Sequence, residues 1–170
     1  TPVDLARGVL TDVGAELSRR DTLLLGAGVD NIADYWRLRG KQGMPRLIVV
    51  IDEYQALLAD DRRDEAAGIL QRITAQGRKV GLHLLLASQR FQASGLLNQS
   101  ALFDNITTRI SLRQTTDAID GLDEFDRAGR DLIRTHATAR GKAVLNSHGG
   151  AEGASVAGTI AFASLDEASA

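Results

Sequence analysis

Two carboxylates, Asp52 and Glu53, stand directly after five aliphatic residues, Leu47-Ile-Val-Val-Ile51. Acids at the end of an apolar run can hold a metal ion and activate a water. They can also do no more than cap the next helix. The run shows no alternation of apolar and polar residues, so the expectation is a central strand buried on both faces, as in a parallel sheet. Asp52 and Glu53 then leave the sheet at its carboxyl edge, where open α/β sheets bind their ligands. A second apolar run, Leu82 to Ala87, closes on Ser88-Gln89-Arg90. One helix between the two strands would bring both polar ends to the same edge. One acid holding Mg²⁺, the other orienting or deprotonating a water, and a neutral amide sensing a γ-phosphate would suit nucleotide hydrolysis.

The elements that must position these residues follow from spacing. Val3, Leu5, Val9, Leu10, Val13, Leu17 and Leu24 recur at intervals of three and four, predicting a helix from 3 to about 25, with Arg19 and Arg20 placed late as the helix dipole favours. Gly26 and Gly28 offer its stop. A second helix begins with Asp30 or Asn31 as its cap and sets Ile32, Tyr35, Trp36 and Leu38 on one side; Tyr35 and Trp36 are expected to pack. After a loop at 40–45 and the first strand comes a short helix with Tyr54, Leu57 and Leu58. Asp60 to Asp64 reads as a solvated turn. A helix from 64 to about 76 ends at Gly77-Arg78-Lys79, where the two basic residues serve as a cap rather than a nucleic-acid contact. His83, inside the second strand, is expected to be a satisfied core histidine. Residues 94–104 suggest a short helix or loop, 106–112 a third strand, 115–121 and 126–134 two short helices, and 142–146 a last core strand. Residues 147–155 are rich in Gly, Ala and Ser and are expected to be mobile. Residues 156–162 could add an edge strand. This α/β order predicts a parallel sheet with right-handed crossovers.

Composition narrows the classes. With 170 residues, 44 % apolar and 25 % charged, the chain can form one soluble domain with a real core. A net charge of −2 gives no bulk case for nucleic-acid binding, though a local basic patch stays open. The absence of cysteine removes disulfides and thiolate metal sites and fits a cytosolic setting. No stretch resembles a membrane span or signal peptide. The chain opens on Thr1 and its one methionine is Met44, so it is expected to be an excised domain or fragment.

Three segments together carry a resemblance: Leu47-Ile-Val-Val-Ile-Asp-Glu-Tyr54, then Arg72 through Val80-Gly-Leu-His-Leu-Leu-Leu-Ala-Ser-Gln-Arg90, then Asn105-Ile-Thr-Thr-Arg-Ile110. Upstream, Glu16-Leu-Ser-Arg-Arg20 and Ala27-Gly-Val-Asp-Asn-Ile-Ala-Asp-Tyr35 extend it. This pattern, from about residue 5 to 146, resembles the FtsK/SpoIIIE family of ring-forming ATPases. The resemblance implies the C-terminal part of a P-loop NTPase (RecA-like) α/β core, with a mainly parallel sheet flanked by helices, and a separate Gly/Ala-rich tail at 147–170. It implies ATP and Mg²⁺ as cofactors, Asp52 as the Walker B aspartate at Mg²⁺, Glu53 as the catalytic glutamate, and Gln89 as the sensor-strand residue with Ser88 beside it. Arg109 becomes a candidate arginine finger toward a neighbouring subunit and Arg113 a second; each could equally be a surface ion pair. The implied partners are further copies in a homo-oligomeric, hexameric ring and a cargo of double-stranded DNA or secreted protein. The implied setting is the cytoplasm or the cytoplasmic face of a membrane that anchors the parent chain.

Departures from the family pattern are specific. No Gly-x-x-x-x-Gly-Lys-Ser/Thr occurs, so the phosphate-cradling half of the site is not in this sequence. Phe91 stands where the family has proline. Residues 120–140 lack the family's Gly-rich pattern, and the tail from Gly149 matches none of it. A degenerate, non-hydrolysing module that binds a partner or helps assemble a ring is therefore the competing function, and an unrelated α/β domain with a coincidental acid pair is a third.

Overall fold

The computed structural model describes residues 2–58, 65–89 and 100–161. The turn expected at 60–64, Arg90, Phe91, the stretch 94–99 and the last residues of the tail lie outside the described residues. The chain divides into two compact units, Thr1–Gln89 and Arg90–Ala170.

In the first unit, helix α1 (Pro2–Ala27) buries Leu10, Gly14, Leu17, Arg20 and Leu24 along one side. That stripe packs on α4 (Glu65–Val80), which buries Ala66, Leu70, Ile73, Gly77 and Val80. Helix α2 (Ile32–Arg39) starts at Asn31, whose side-chain oxygen accepts from the amides of Ala33 and Asp34 at 3.0 Å each. Trp36 packs as expected: its indole N–H donates to the Met44 carbonyl at 2.8 Å, and the Arg46 guanidinium lies 4.7 Å from its ring centre.

Strand β1 (Leu47–Ile51) pairs in parallel with β2 (Leu82–Leu86), Leu47 opposite Leu82 and Ile51 opposite Leu86. α3 (Tyr54–Leu58) and α4 lie between them in sequence, and α4 packs against β2. Three expectations are corrected here. The strands are not buried on both faces: Ile48 is 66 % and Val50 64 % exposed, because helices cover only the side of Leu47, Val49 and Ile51. His83 is not a core histidine, since β2 alternates and turns His83 and Leu85 to the same open face. Helix α4 does not end near Gln76 but runs through Gly77 to Val80, leaving Gly81, at φ +73°, as the one residue linking helix to strand.

The second unit contains α5 (Ser100–Asp104), β3 (Arg109–Ser111), α6 (Thr116–Asp120), α7 (Arg127–His136), β4 (Lys142–Asn146) and β5 (Ser155–Thr159). Its strands form an antiparallel sheet in the order β3-β4-β5. The α/β class holds and the β1–β2 pair is parallel as expected, but parallel pairing does not extend to this sheet. β4 and β5 are joined by residues 147–154, fewer than the dozen or so a parallel crossover requires. Helices α6 and α7 close one face of the sheet with Ile119, Leu122, Phe125, Ile133 and Ala137 packed on Val144.

The segment expected to be mobile is tied down. Asn146, fully buried, donates to the Ala151 carbonyl and Ser155 Oγ and accepts from the amides of His148 and Gly150. Asp126 caps α7 through Gly129 and also accepts from the Gly153 amide at 3.3 Å. The tail thus supplies β5 as an edge strand beginning at Ser155.

Candidate functional site

The polar edge of the parallel pair is assembled by backbone bonds. Ala87 N–H donates to the Ile51 carbonyl at 2.9 Å, and Tyr54 N–H donates to the Ala87 carbonyl at 3.2 Å. In a regular parallel ladder the second bond would come from Glu53. Here one residue is looped out, as in a bulge. Glu53 absorbs it with φ of 51°, the one positive value at a non-glycine among the described residues. An L-residue in the left-handed region costs about 1–2 kcal/mol, and such positions cluster at functional sites. The freed Glu53 N–H donates instead to Asp52 Oδ1 at 3.0 Å, and the Glu53 carbonyl accepts from Ala56 in the first turn of α3.

This lacing brings Asp52 and Glu53 alongside Ala87, Ser88 and Gln89. Asp52 and Gln89 are exposed; Glu53 and Ser88 are half-buried. The Glu53 carboxylate accepts from Gln55 Nε2, whose partner atom Gln55 Oε1 is buried without a hydrogen bond. Gln55 is absent from the residues singled out by sequence. The signal was an amide two positions past the acid at the start of a helix.

Among the described residues no group of three or more acids or histidines gathers that could hold an ion unaided. Mg²⁺ bound with a nucleotide needs one or two carboxylates, with phosphate and water oxygens completing its shell. Asp52, exposed at the strand end, fits that requirement.

The two arginine candidates belong to the second unit. Arg109 is half-buried, and its guanidinium donates to the carbonyls of Glu124 at 2.7 Å and Ile106 at 3.4 Å. Nearby, burial pushes the Glu124 carboxyl above its ordinary pKa, against the pull of the Arg109 charge. Arg113 is exposed and lines an open cleft beside α6 and α7 with Arg134, which pairs with Asp120 and Asp131.

Comparison with known proteins gives these features a context. Residues 1–93, more than half of the chain, match the FtsK/SpoIIIE family. The ESX-1 secretion system protein EccCa1 of Mycobacterium tuberculosis is 34 % identical over 113 residues, which is 59 % of this chain and 15 % of that protein. The DNA translocase FtsK of Helicobacter pylori is 35 % identical over 117 residues, 65 % of this chain and 13 % of that protein. The cytoplasmic domain of the Thermomonospora curvata type VII secretion ATPase EccC superposes with a TM-score of 0.69 at 28 % identity, covering 96 % of this chain and 18 % of that one. The chain therefore spans about a seventh of the length of these curated relatives. It belongs to the FtsK/SpoIIIE family and has the mixed α/β fold of the P-loop ATPase domains in that family.

Proposed function

We propose that the chain is part of an ATP-hydrolysing ring motor of the FtsK/SpoIIIE type, which moves double-stranded DNA or drives type VII protein secretion. One observation carries this reading: the acid pair is laced to the sensor end of the neighbouring strand through Ala87, with Glu53 held in a strained backbone conformation. Mg²⁺, when bound through Asp52, would neutralise charge on the β- and γ-phosphates. Glu53 takes a proton from the attacking water while the water oxygen bonds the γ-phosphorus and the bond to the β,γ-bridging oxygen breaks, giving ADP and phosphate. Gln89 and Ser88, at the end of the neighbouring strand, would border the γ-phosphate of a bound nucleotide. Arg109 is engaged by two carbonyls in this conformation. Arg113, exposed, is the second candidate to reach a neighbouring subunit's nucleotide. The phosphate-gripping half of the site would come from a P-loop outside this sequence, in a longer parent at the cytoplasmic face of a membrane. No helix among the described residues is long and apolar enough to cross a membrane.

In the full-length protein, Glu53→Gln is expected to keep nucleotide binding and to lower turnover by at least about a hundredfold, the usual scale of a general base. Turnover near wild type would remove Glu53 from this role. The two relatives, a secretion protein and a DNA translocase, match at similar identity. A salt-dependent duplex-DNA binding measurement on the assembled protein separates their two kinds of cargo.

A further inference from the structure

Gln55 occupies the first turn of α3, two residues beyond Glu53. Helical side chains lean toward the helix N-terminus, so this amide folds back over the looped-out residue. Its Nε2 donates to Glu53 Oε2. The reverse orientation would set the amide oxygen against a carboxylate oxygen, two acceptors without a proton between them, so this is the one orientation that bonds. Gln55 Oε1 meanwhile accepts nothing and is buried. Tyr54, Leu57 and Leu58 are the residues of α3 that enter the core. The amide is therefore not a structural knot: among the described residues its one hydrogen bond is to the acid.

The backbone of Glu53 is fixed by its bonds to Asp52 Oδ1 and Ala56. Its side chain keeps three rotatable bonds, and Gln55 supplies the described restraint on its far end. We propose that Gln55 is a positioning residue for ATP hydrolysis, occupying Glu53 Oε2 so that Oε1 is the oxygen presented to the attacking water. This rests on the reading of Glu53 as the group that takes the water's proton.

The test compares Gln55→Met and Gln55→Glu with Glu53→Gln in the full-length protein. Methionine keeps the length and helix propensity of glutamine but donates no hydrogen bond. Glutamate keeps the shape and sets a second acceptor against Glu53. Gln55→Met is expected to lower kcat about tenfold, a fraction of the general-base effect, with KM and the Kd of a non-hydrolysable ATP analogue within about twofold. Gln55→Glu is expected to lower kcat further. In the Glu53→Gln background, Gln55→Met should have no additional effect on the residual rate. A kcat for Gln55→Met within about twofold of wild type, a rise in kcat, or a loss that falls on KM instead would overturn the proposal. Should Gln55→Met unfold the protein, Gln55→Glu, isosteric and polar, carries the same test. If Glu53→Gln abolishes turnover while both Gln55 variants are normal, the positioning role alone fails. If Glu53→Gln itself turns over normally, the reading of the acid fails instead.

Discussion

Glu16 and Arg20 show what a single buried charge does in this chain. Arg20, 3 % exposed, donates to Glu16 Oε1 at 2.6 Å and to the carbonyls of Pro45 and Val80 at 2.7 and 3.1 Å. One side chain thereby ties α1 to the chain just before β1 and to the end of α4. Glu16 also accepts two bonds from Arg19. The Arg19 hydrogen bond, reinforced by Arg20 and working against burial, holds the Glu16 carboxyl at a pKa of about 2 instead of 4.5. A depressed carboxylate contributes stability that is fully present above the unfolded pKa and is lost as pH falls through the folded one. With the side chain 26 % exposed, screening leaves about 1–2 kcal/mol of that contribution. Glu16→Gln should therefore lower stability by about 1–2 kcal/mol at pH 7, and the difference from wild type should vanish between about pH 4.5 and pH 2 in denaturant titrations. In the sequence these residues could be read only as charges placed to suit a helix dipole. Spacing says which face of a helix a residue lies on, but not that a guanidinium will find two orphan carbonyls from distant segments.

At the scale of elements, glycines separate local propensity from packing. Gly77 reads in sequence as a helix stop, yet α4 continues through it. A Cβ there would lie 2.6 Å from the Leu82 carbonyl oxygen and 3.3 Å from Leu82 Cβ, so Gly77 lets the helix lie close against β2. A Cβ at Gly8, on the exposed side of α1, would meet nothing within 4 Å. Alanine is favoured over glycine in a helix by about 1 kcal/mol. Gly8→Ala should accordingly stabilise the chain by up to about that amount. Gly77→Ala should destabilise it by about 1–3 kcal/mol, because its neighbour is backbone that cannot swing away. Equal signs in thermal unfolding of the two variants would contradict this placement of α4. The helices, the β1–β2 crossover and the acid pair at a strand end were legible because apolar period and strand length are local signals. The antiparallel β3-β4-β5 sheet was not, because strand direction depends on where α6 and α7 return the chain. The loop at 147–154 reads as mobile by composition, and its order comes from the buried amide of Asn146, together with Asp126 and the Thr107 carbonyl, which composition does not reveal.

Within the described residues of each unit, the sheet leaves one apolar face open. In the first unit it carries Ile48, Val50 and Leu85; in the second, Ile110 and Val156. Uninterrupted aliphatic runs suggest burial on both sides, and the sequence does not show that the described residues supply cover for only one. Side chains already two-thirds exposed contribute little to its stability. Ile48→Thr with Val50→Thr, which keeps β-branching, should change the Tm of this chain by less than about 2 °C while lowering its binding of an apolar dye and its tendency to self-associate. A Tm loss of many degrees would mean the face is covered after all. The lacing at Ala87 has a different bearing, on how the site tolerates sequence drift. Both bonds that join Ile51 and Tyr54 to Ala87 run between main-chain atoms, so any residue but proline at position 87 can make them, while Tyr54 is held as well by the burial of its side chain in the core. Where the acids sit is written largely in the backbone. How the Glu53 side chain points is left to its own torsions and one neighbouring amide, so its orientation can drift without rebuilding the sheet.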